Sequence, residues 1–400
     1  MRVIGLMSGT SYDAIDAAAA DLSIKGDSVT LIPLGVRSQP YSDELRAAIA
    51  ATLPPRNTTM EQVCRLDTLI GQSFAAVAGE ANHELCDGAG DLIVSHGQTL
   101  FHWVHEGRVK GSLQLGQPAW IAEHTGLPVV ADLRSRDIAA GGQGAPLVSM
   151  FDVLWLGSRP GCPVALNLGG IANITVMPGD RDPIAFDTGP ANALIDAATR
   201  HLTGGRLDYD VDGALAARGD IDDRLLDRLL AEAYYSLPGP KSTGKELFHL
   251  PYLLAALEGL GPRPAEDVVA TLTALTARTV ADAVIRSGGT EVIAAGGGTN
   301  NPVLMRMLAR ELADIELRTT ASLGLPPSAK EAYAFATLGF LTAHGLVGSV
   351  ASCTGARHAS ILGNLIPGRN PFAFPAVPAG NPVRLRIGRP AEPAANSGDQ

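Results

Sequence analysis

Cysteine, lysine and aromatic residues are scarce in this 400-residue chain, and charged residues make up only 18% of it. The four cysteines, Cys64, Cys86, Cys162 and Cys353, form no CxxC pair. A disulfide scaffold and a zinc ribbon both lack support, and a reducing, cytoplasmic location is expected. Only five of the 31 basic residues are lysines, and 41 acidic residues outnumber them all. The net charge of −10 argues against nucleic acid or an anionic membrane as a partner, since either needs clustered positive charge. No run of 18 uninterrupted apolar residues occurs, and the opening MRVIGLMSGTSYDAID lacks the apolar core and cleavage site of a leader. Neither a membrane span nor a signal peptide is therefore expected. What the chain has in quantity is apolar and small: 46% hydrophobic residues and 45 glycines. That supports a large core, excludes global disorder and, at this length, suggests two or three domains.

Two β-meanders are predicted, one in the first forty residues and one at Val164–Leu168, Ile174–Met177 and Ile184–Phe186, each with a Gly-rich polar turn. Helical periodicity marks 42–52 and 60–86, the latter through Val63, Leu66, Ile70, Phe74 and Val77. Short strands are expected at Asp91–Val94, Leu113–Leu115 and Leu127–Ala131, and a helix at Pro118–His124. After the second meander, helices are expected at Pro190–Leu202, Ile221–Tyr234, Glu246–Leu257, Ala265–Arg286, Pro302–Leu312 and Pro327–Gly345. Strands are predicted at Glu291–Ala295 and Glu316–Arg318. The residues from about 371 onward are Pro-rich and read as a floppy tail.

Four segments carry candidate chemistry. Gly9, Thr10, Ser11, Tyr12, Asp13, Ala14, Ile15 and Asp16 follow the first strand. Glycine permits close backbone approach, hydroxyls and N–H groups can cradle phosphate oxygens, and two carboxylates can hold Mg²⁺ through water or orient a nucleophile; the bland reading is a plain hairpin turn. Gly169 and Gly170 form the matching turn of the second meander, where the bland reading is a tight hairpin needing positive φ. Asp187, in Phe186-Asp187-Thr188-Gly189-Pro190, is expected at the end of a strand, with Pro190 in the first turn of the next helix. Its bland role is a helix cap; its sharper role is a general base. Gly296, Gly297 and Gly298 join a strand to a helix, where small residues let a nucleoside lie against the backbone.

Gly239–Glu246 fits the P-loop pattern in seven of eight positions, but Glu246 lacks the metal-binding hydroxyl and the preceding residues read as helix, not strand. A loop presenting lysines to a substrate or to a domain partner is the better reading. Ser95-His96-Gly97-Gln98-Thr99 suggests sugar-binding polar groups at a strand end, not a metal cluster. Lys330 and Glu331 open the last strong helix, where the bland reading is a solvated turn.

The segments GLMSGTSYDAIDAA, SHGQTLFH, VVADLRSRDIAAGGQGAPLV, LNLGGIANIT, FDTGPANALID, KSTGKELF, AAGGGTNN and PPSAKEAYAFATLG, in this order, resemble the anhydro-N-acetylmuramic acid kinase family of the acetate kinase/sugar kinase/Hsp70/actin superfamily. The resemblance implies an α/β, two-lobed, actin-like ATPase (duplicated ribonuclease H-like) fold, with mixed five-stranded sheets flanked by helices and closing on ATP and sugar. The lobes would be 1–135 with the first hairpin and 136–326 with the second hairpin and the nucleoside region. Residues 327–370 would return to the N-terminal lobe, and 371–400 would be the tail. The implied reaction opens a 1,6-anhydro bridge with water and phosphorylates O6, with Asp187 as base and ATP and Mg²⁺ as cofactors. Gly9–Asp16, Gly169 and Gly170 would take the phosphates and Gly296–Gly298 the nucleoside. His96, Arg134, Lys330 and Glu331 would face the sugar, and no protein-held metal cluster is implied. A homodimer is also implied. Ala14, Ala191, Lys245 and Val104 depart from the family pattern, the first two by adding a methyl where glycine is common. A 1,6-anhydroglucose (levoglucosan) kinase and a non-catalytic nucleotide-binding protein are the alternatives.

Overall fold

Thirteen strands form two sheets among the residues that the computed structural model describes, which are 1–9, 11–53, 56–244 and 247–389. In chain order they are β1 (Arg2–Ser8), β2 (Ala14–Lys25), β3 (Ser28–Pro40), β4 (Leu92–His105), β5 (Arg108–Leu115), β6 (Val129–Ala131), β7 (Pro163–Leu168), β8 (Ile171–Val176), β9 (Ile184–Pro190), β10 (Glu291–Ala295), β11 (Glu316–Thr319), β12 (Asn364–Ile366) and β13 (Arg384–Ile387). The chain divides into two units. One comprises Met1–Ala139, Glu331–Gly348 and 360–389, and the other Ala140–Lys330 and Ser349–Ala359.

The first unit's sheet runs β12-β6-β4-β1-β2-β3-β13, with β5 paired to β4. The second unit's sheet runs β11-β10-β7-β8-β9. The inner five strands of the first repeat the second: a three-strand antiparallel meander, then two parallel strands beside its first member. The first sheet thus has eight strands where five were expected. The additions are the long β4–β5 hairpin and two C-terminal strands that pair with the outer edges of β6 and β3. Covering an edge satisfies its exposed backbone groups, a gain that no side-chain pattern records. For the same reason the tail is not floppy throughout, because Arg384–Ile387 is held by backbone pairing to β3 and by the buried Leu385. Ser349–Ala359, expected with the N-terminal lobe, belongs to the second unit. There Gln143 N–H donates to the Thr354 carbonyl and Arg357 N–H to the Ala140 carbonyl.

The helix Met60–Cys86 starts at a capping box, Thr59 with Gln62, and buries Leu66, Ile70, Phe74, Val77 and Ala81 against the first sheet at helical spacing. The other face of that sheet takes the helix Lys330–Ala343 at backbone distance. A Cβ on Gly5 would collide with the Ala332 carbonyl oxygen, and one on Gly339 with the Val94 side chain. Only glycine permits that approach. In the second unit the helix Ala265–Arg286 is long and apolar enough to cross a membrane, but 83% of its apolar window is buried in this structure.

Candidate active site

In the first unit, the turn from β1 to β2 is built by its own polar groups. Tyr12 has φ 45° and donates its N–H to the Gly9 carbonyl at 3.1 Å. Asp13 Oδ1 accepts from the Ser11 hydroxyl at 2.6 Å and from Ala14 N–H at 3.1 Å. Gln98, 1% exposed, fixes the base of the turn: its amide donates to the Gly9 carbonyl at 3.1 Å and its Oε1 accepts from the Ser8 hydroxyl at 2.7 Å. Of the eight residues expected to contact phosphates, Ile15 lies in the core, because β2 alternates its faces, and Tyr12, in the turn before β2, packs against that core. Thr10 lies outside the described residues. Gly9, Ser11, Asp13, the Ala14 backbone and Asp16 remain as a polar rim. Burial pushes the Asp16 carboxyl above its ordinary range and Asp13 adds to this, while the Ser38 hydroxyl opposes both.

His96 and Gln98 lie inside β4, not at a strand end; β4 bends there around Gly97, which has φ 68°. The His96 ring stacks on Phe335, with centroids 4.3 Å apart, and its Nε2 accepts from the Arg134 guanidinium at 3.0 Å. Burial, and then Arg134, hold His96 well below the ordinary imidazole value of 6.5. Burial lowers Arg134 to about 10, with Glu331 opposing. The structure therefore brings His96, Arg134 and Glu331 into one group. His96 stays neutral in the folded chain but takes a proton when unfolded. Below pH 6.5 the unfolded chain thus binds more protons, and stability falls as pH drops. Melting temperature is expected to decline between about pH 7.5 and about pH 5.5, and His96→Gln is expected to flatten that slope. Scanning calorimetry at each pH checks it; an unchanged slope would mean that the imidazole titrates in the folded chain.

Lys330 does not join this group. Its side chain is 3% exposed and its ammonium lies 2.6 Å from Asp152 Oδ1, while Asp152 Oδ2 accepts from Thr175. It is not part of a solvated turn, because a buried ammonium needs a counter-charge and Asp152 supplies one.

In the second unit, neither Gly169 nor Gly170 has positive φ. Their carbonyls instead accept from the N–H groups of Ala191, Asn192 and Ala193, which open the helix Asn192–Leu202. The Asn192 side chain donates to the Leu168 and Gly169 carbonyls at 3.2 and 2.9 Å. Gly296 has φ 88°, and a Cβ there would sit 2.7 Å from the Leu168 carbonyl oxygen; one on Gly298 would meet the Leu168 side chain at 2.7 Å. Gly297 faces open space. The two Gly-rich segments thus form one surface, with Asn167 Oδ1 buried beside it without a hydrogen-bond partner among the described residues.

Asp187 stands inside β9, which continues to Pro190, so Pro190 does not enter the helix. Neither Asp187 nor Thr188 caps the helix: the cap position is Ala191, with no side-chain bond. The carboxylate is half-buried, and its Oδ2 accepts from the Ser242 hydroxyl and from Thr243 N–H, each at 2.9 Å. Residues 241–244 have no regular structure and the next helix begins at Leu250, so the P-loop geometry is absent from the described part of this segment. Lys245 and Glu246 lie outside the described residues. Lys241 is not presented outward, since its ammonium donates to the Tyr234 and Tyr235 carbonyls. Sequence reasoning missed the roles of Gln98, Asp152 and Ser242. Each is a polar residue whose partner lies at least 23 positions away, and a pattern of neighbours cannot signal that. Among the described residues no group of three His, Cys, Asp or Glu side chains could hold a metal.

Two units of one strand order, each offering a polar turn between its first two strands, define the duplicated fold of the actin-like ATPases and sugar kinases. The family model for anhydro-N-acetylmuramic acid kinase matches residues 1–368. The chain is 65% identical over 385 residues to the anhydro-N-acetylmuramic acid kinase of Streptomyces avermitilis, covering 96% of this chain and 99% of that one. It is 65% identical over 375 residues to that of Rhodococcus erythropolis, covering 92% and 94%. With the one from Caldanaerobacter subterraneus subsp. tengcongensis it shares 38% over 389 residues, covering 91% and 96%. The chain belongs to the anhydro-N-acetylmuramic acid kinase family. It is a kinase and uses ATP, which sets aside the non-catalytic alternative.

Proposed function

We propose that this chain opens the 1,6-anhydro ring of anhydro-N-acetylmuramic acid with water and phosphorylates O6, giving N-acetylmuramic acid 6-phosphate and ADP, in cytoplasmic cell-wall recycling. The observation that carries the mechanism is Asp187, a half-buried carboxylate on an edge strand that accepts from the Ser242 hydroxyl and the Thr243 N–H. Asp187 takes a proton from water, the water oxygen bonds to C1, and the C1–O6 bond breaks. The freed O6 bonds to the γ-phosphorus as the bond to the ADP oxygen breaks. Positioning and electrostatics dominate such a transfer.

Gly9, Ser11, Asp13 and Asp16 of the first unit and Gly169 and Gly170 of the second are the proposed phosphate contacts, with Gly296–Gly298 for the nucleoside. Asp13 and Asp16 fit Mg²⁺. The repulsion that helps raise Asp16 is what a divalent cation relieves, and Mg²⁺ takes only one or two protein carboxylates when it also binds phosphate. When bound, it would supply neutralisation of phosphate charge.

His96, Arg134 and Glu331 are the proposed sugar contacts. Arg134 favours the muramic sugar over levoglucosan, because a guanidinium in a buried setting suits the lactyl carboxylate that levoglucosan lacks. Arg134→Leu is expected to raise KM for the muramic sugar by roughly 10²-fold and leave KM for ATP near normal, as steady-state kinetics will report. The identity test is incubation with ATP and Mg²⁺ and either anhydro sugar, read by mass spectrometry. Gain of one water and one phosphoryl group by the muramic sugar alone is expected; the same gain by levoglucosan alone would overturn the assignment.

A further inference from the structure

We propose that the segment from Tyr234 to Thr243 is a clamp that orients Asp187 and keeps its carboxylate charged, with the Ser242 hydroxyl as its adjustable contact. The proposal rests on Asp187 being the base described above.

The clamp grips both the main chain and the side chain of Asp187. Its N–H donates to the Lys241 carbonyl at 3.0 Å, and its carbonyl accepts from the Tyr234 hydroxyl at 2.7 Å. Its Oδ2 accepts from Ser242 Oγ and Thr243 N–H, each at 2.9 Å. β9 is the last strand of its sheet, so the Asp187 N–H lies on an edge that the sheet leaves unpaired, and the segment pairs with it there.

The segment is itself tied down. The Lys241 ammonium donates to the Tyr234 and Tyr235 carbonyls at 2.9 and 3.2 Å and lies 4.5 Å from the centroid of the Tyr234 ring. That ring meets Phe248, 1% exposed, edge-on at 6.0 Å. The contacts therefore close a loop: Tyr234 holds the Asp187 carbonyl, Lys241 holds Tyr234, and the Lys241 carbonyl holds the Asp187 N–H. A base works only when ionised and aimed, and two donors on one carboxylate oxygen favour the ionised form while fixing the plane of the group. Ser242 and Lys241 are positioning residues: they act on the reaction only through Asp187.

Ser242 is exposed, so Ser242→Ala is expected to fold. With the hydroxyl removed, the charged carboxylate loses one stabilising donor. The acidic limb of the kcat/KM profile for the anhydro sugar should move to higher pH, and kcat should fall about tenfold while KM for ATP changes by less than about twofold. Ser242→Thr should restore both the profile and the rate. A Ser242→Ala profile that superimposes on the wild-type one, with unchanged kcat, would overturn the clamp. Asp187→Asn, assayed alongside, separates the two readings. Loss of turnover there with an unmoved Ser242→Ala profile removes only the clamp, whereas turnover retained in Asp187→Asn removes the base.

Discussion

Asp187→Asn is expected to lower kcat by roughly 10²–10⁴-fold, the usual contribution of a positioned base, while nucleotide binding stays close to normal. The substitution is nearly isosteric. The amide oxygen can still accept from Ser242 and Thr243, so β9 and the segment beside it should keep their geometry. What disappears is the capacity to take a proton from water. Because the water attack frees O6, loss of that step also removes the phosphoryl acceptor, so hydrolysis and phosphorylation should fall together. Rapid-quench assays of ring opening and ADP release will show whether they do. Ring opening at the normal rate without phosphorylation would instead place Asp187 at the transfer step. Equilibrium binding of a non-hydrolysable ATP analogue, unchanged in the variant, would show that the defect is chemical.

Lys330→Met should destabilise the protein by about 3–5 kcal/mol, a fall in melting temperature on the order of 10 °C. The reason is not the loss of an attraction but the charge left behind. Asp152, its side chain 5% exposed, would keep only the Thr175 hydroxyl at 3.2 Å as a side-chain partner among the described residues. The double variant Lys330→Met with Asp152→Leu should recover most of the loss, since well-packed apolar residues often replace a buried pair without penalty. If Lys330 were instead a sugar contact, the single variant would melt normally and show a raised KM for sugar. Thermal melts and kinetics on the same two samples decide between these outcomes.

Much of the architecture was legible from residue order alone. The two meanders, the helices at 43–52, 60–86 and 265–286 and the strand Glu291–Ala295 fall where period and punctuation put them, because those signals are local. The polar turns were legible for the same reason: glycines and hydroxyls between two apolar strands can do little but turn. The chemistry of Asp187 was suggested by its neighbours, but its setting was not. The sequence reads as strand, acid, helix; in the fold the strand runs on to Pro190 and the acid sits on a sheet edge.

Composition, charge and the ordered set of motifs by themselves determined the class of protein, the two Gly-rich turns and the acid at position 187, because each depends on residues adjacent in the chain. Only the tertiary structure decided that Lys330 belongs to Asp152, that Gln98 holds the first turn, that Ile15 faces the core and that the C-terminal strands close the first sheet's edges. Those outcomes rest on pairs of groups brought together from distant positions. A buried charge or an unpaired backbone group takes whichever partner the fold presents, and the identity of that partner is not written beside it in the chain.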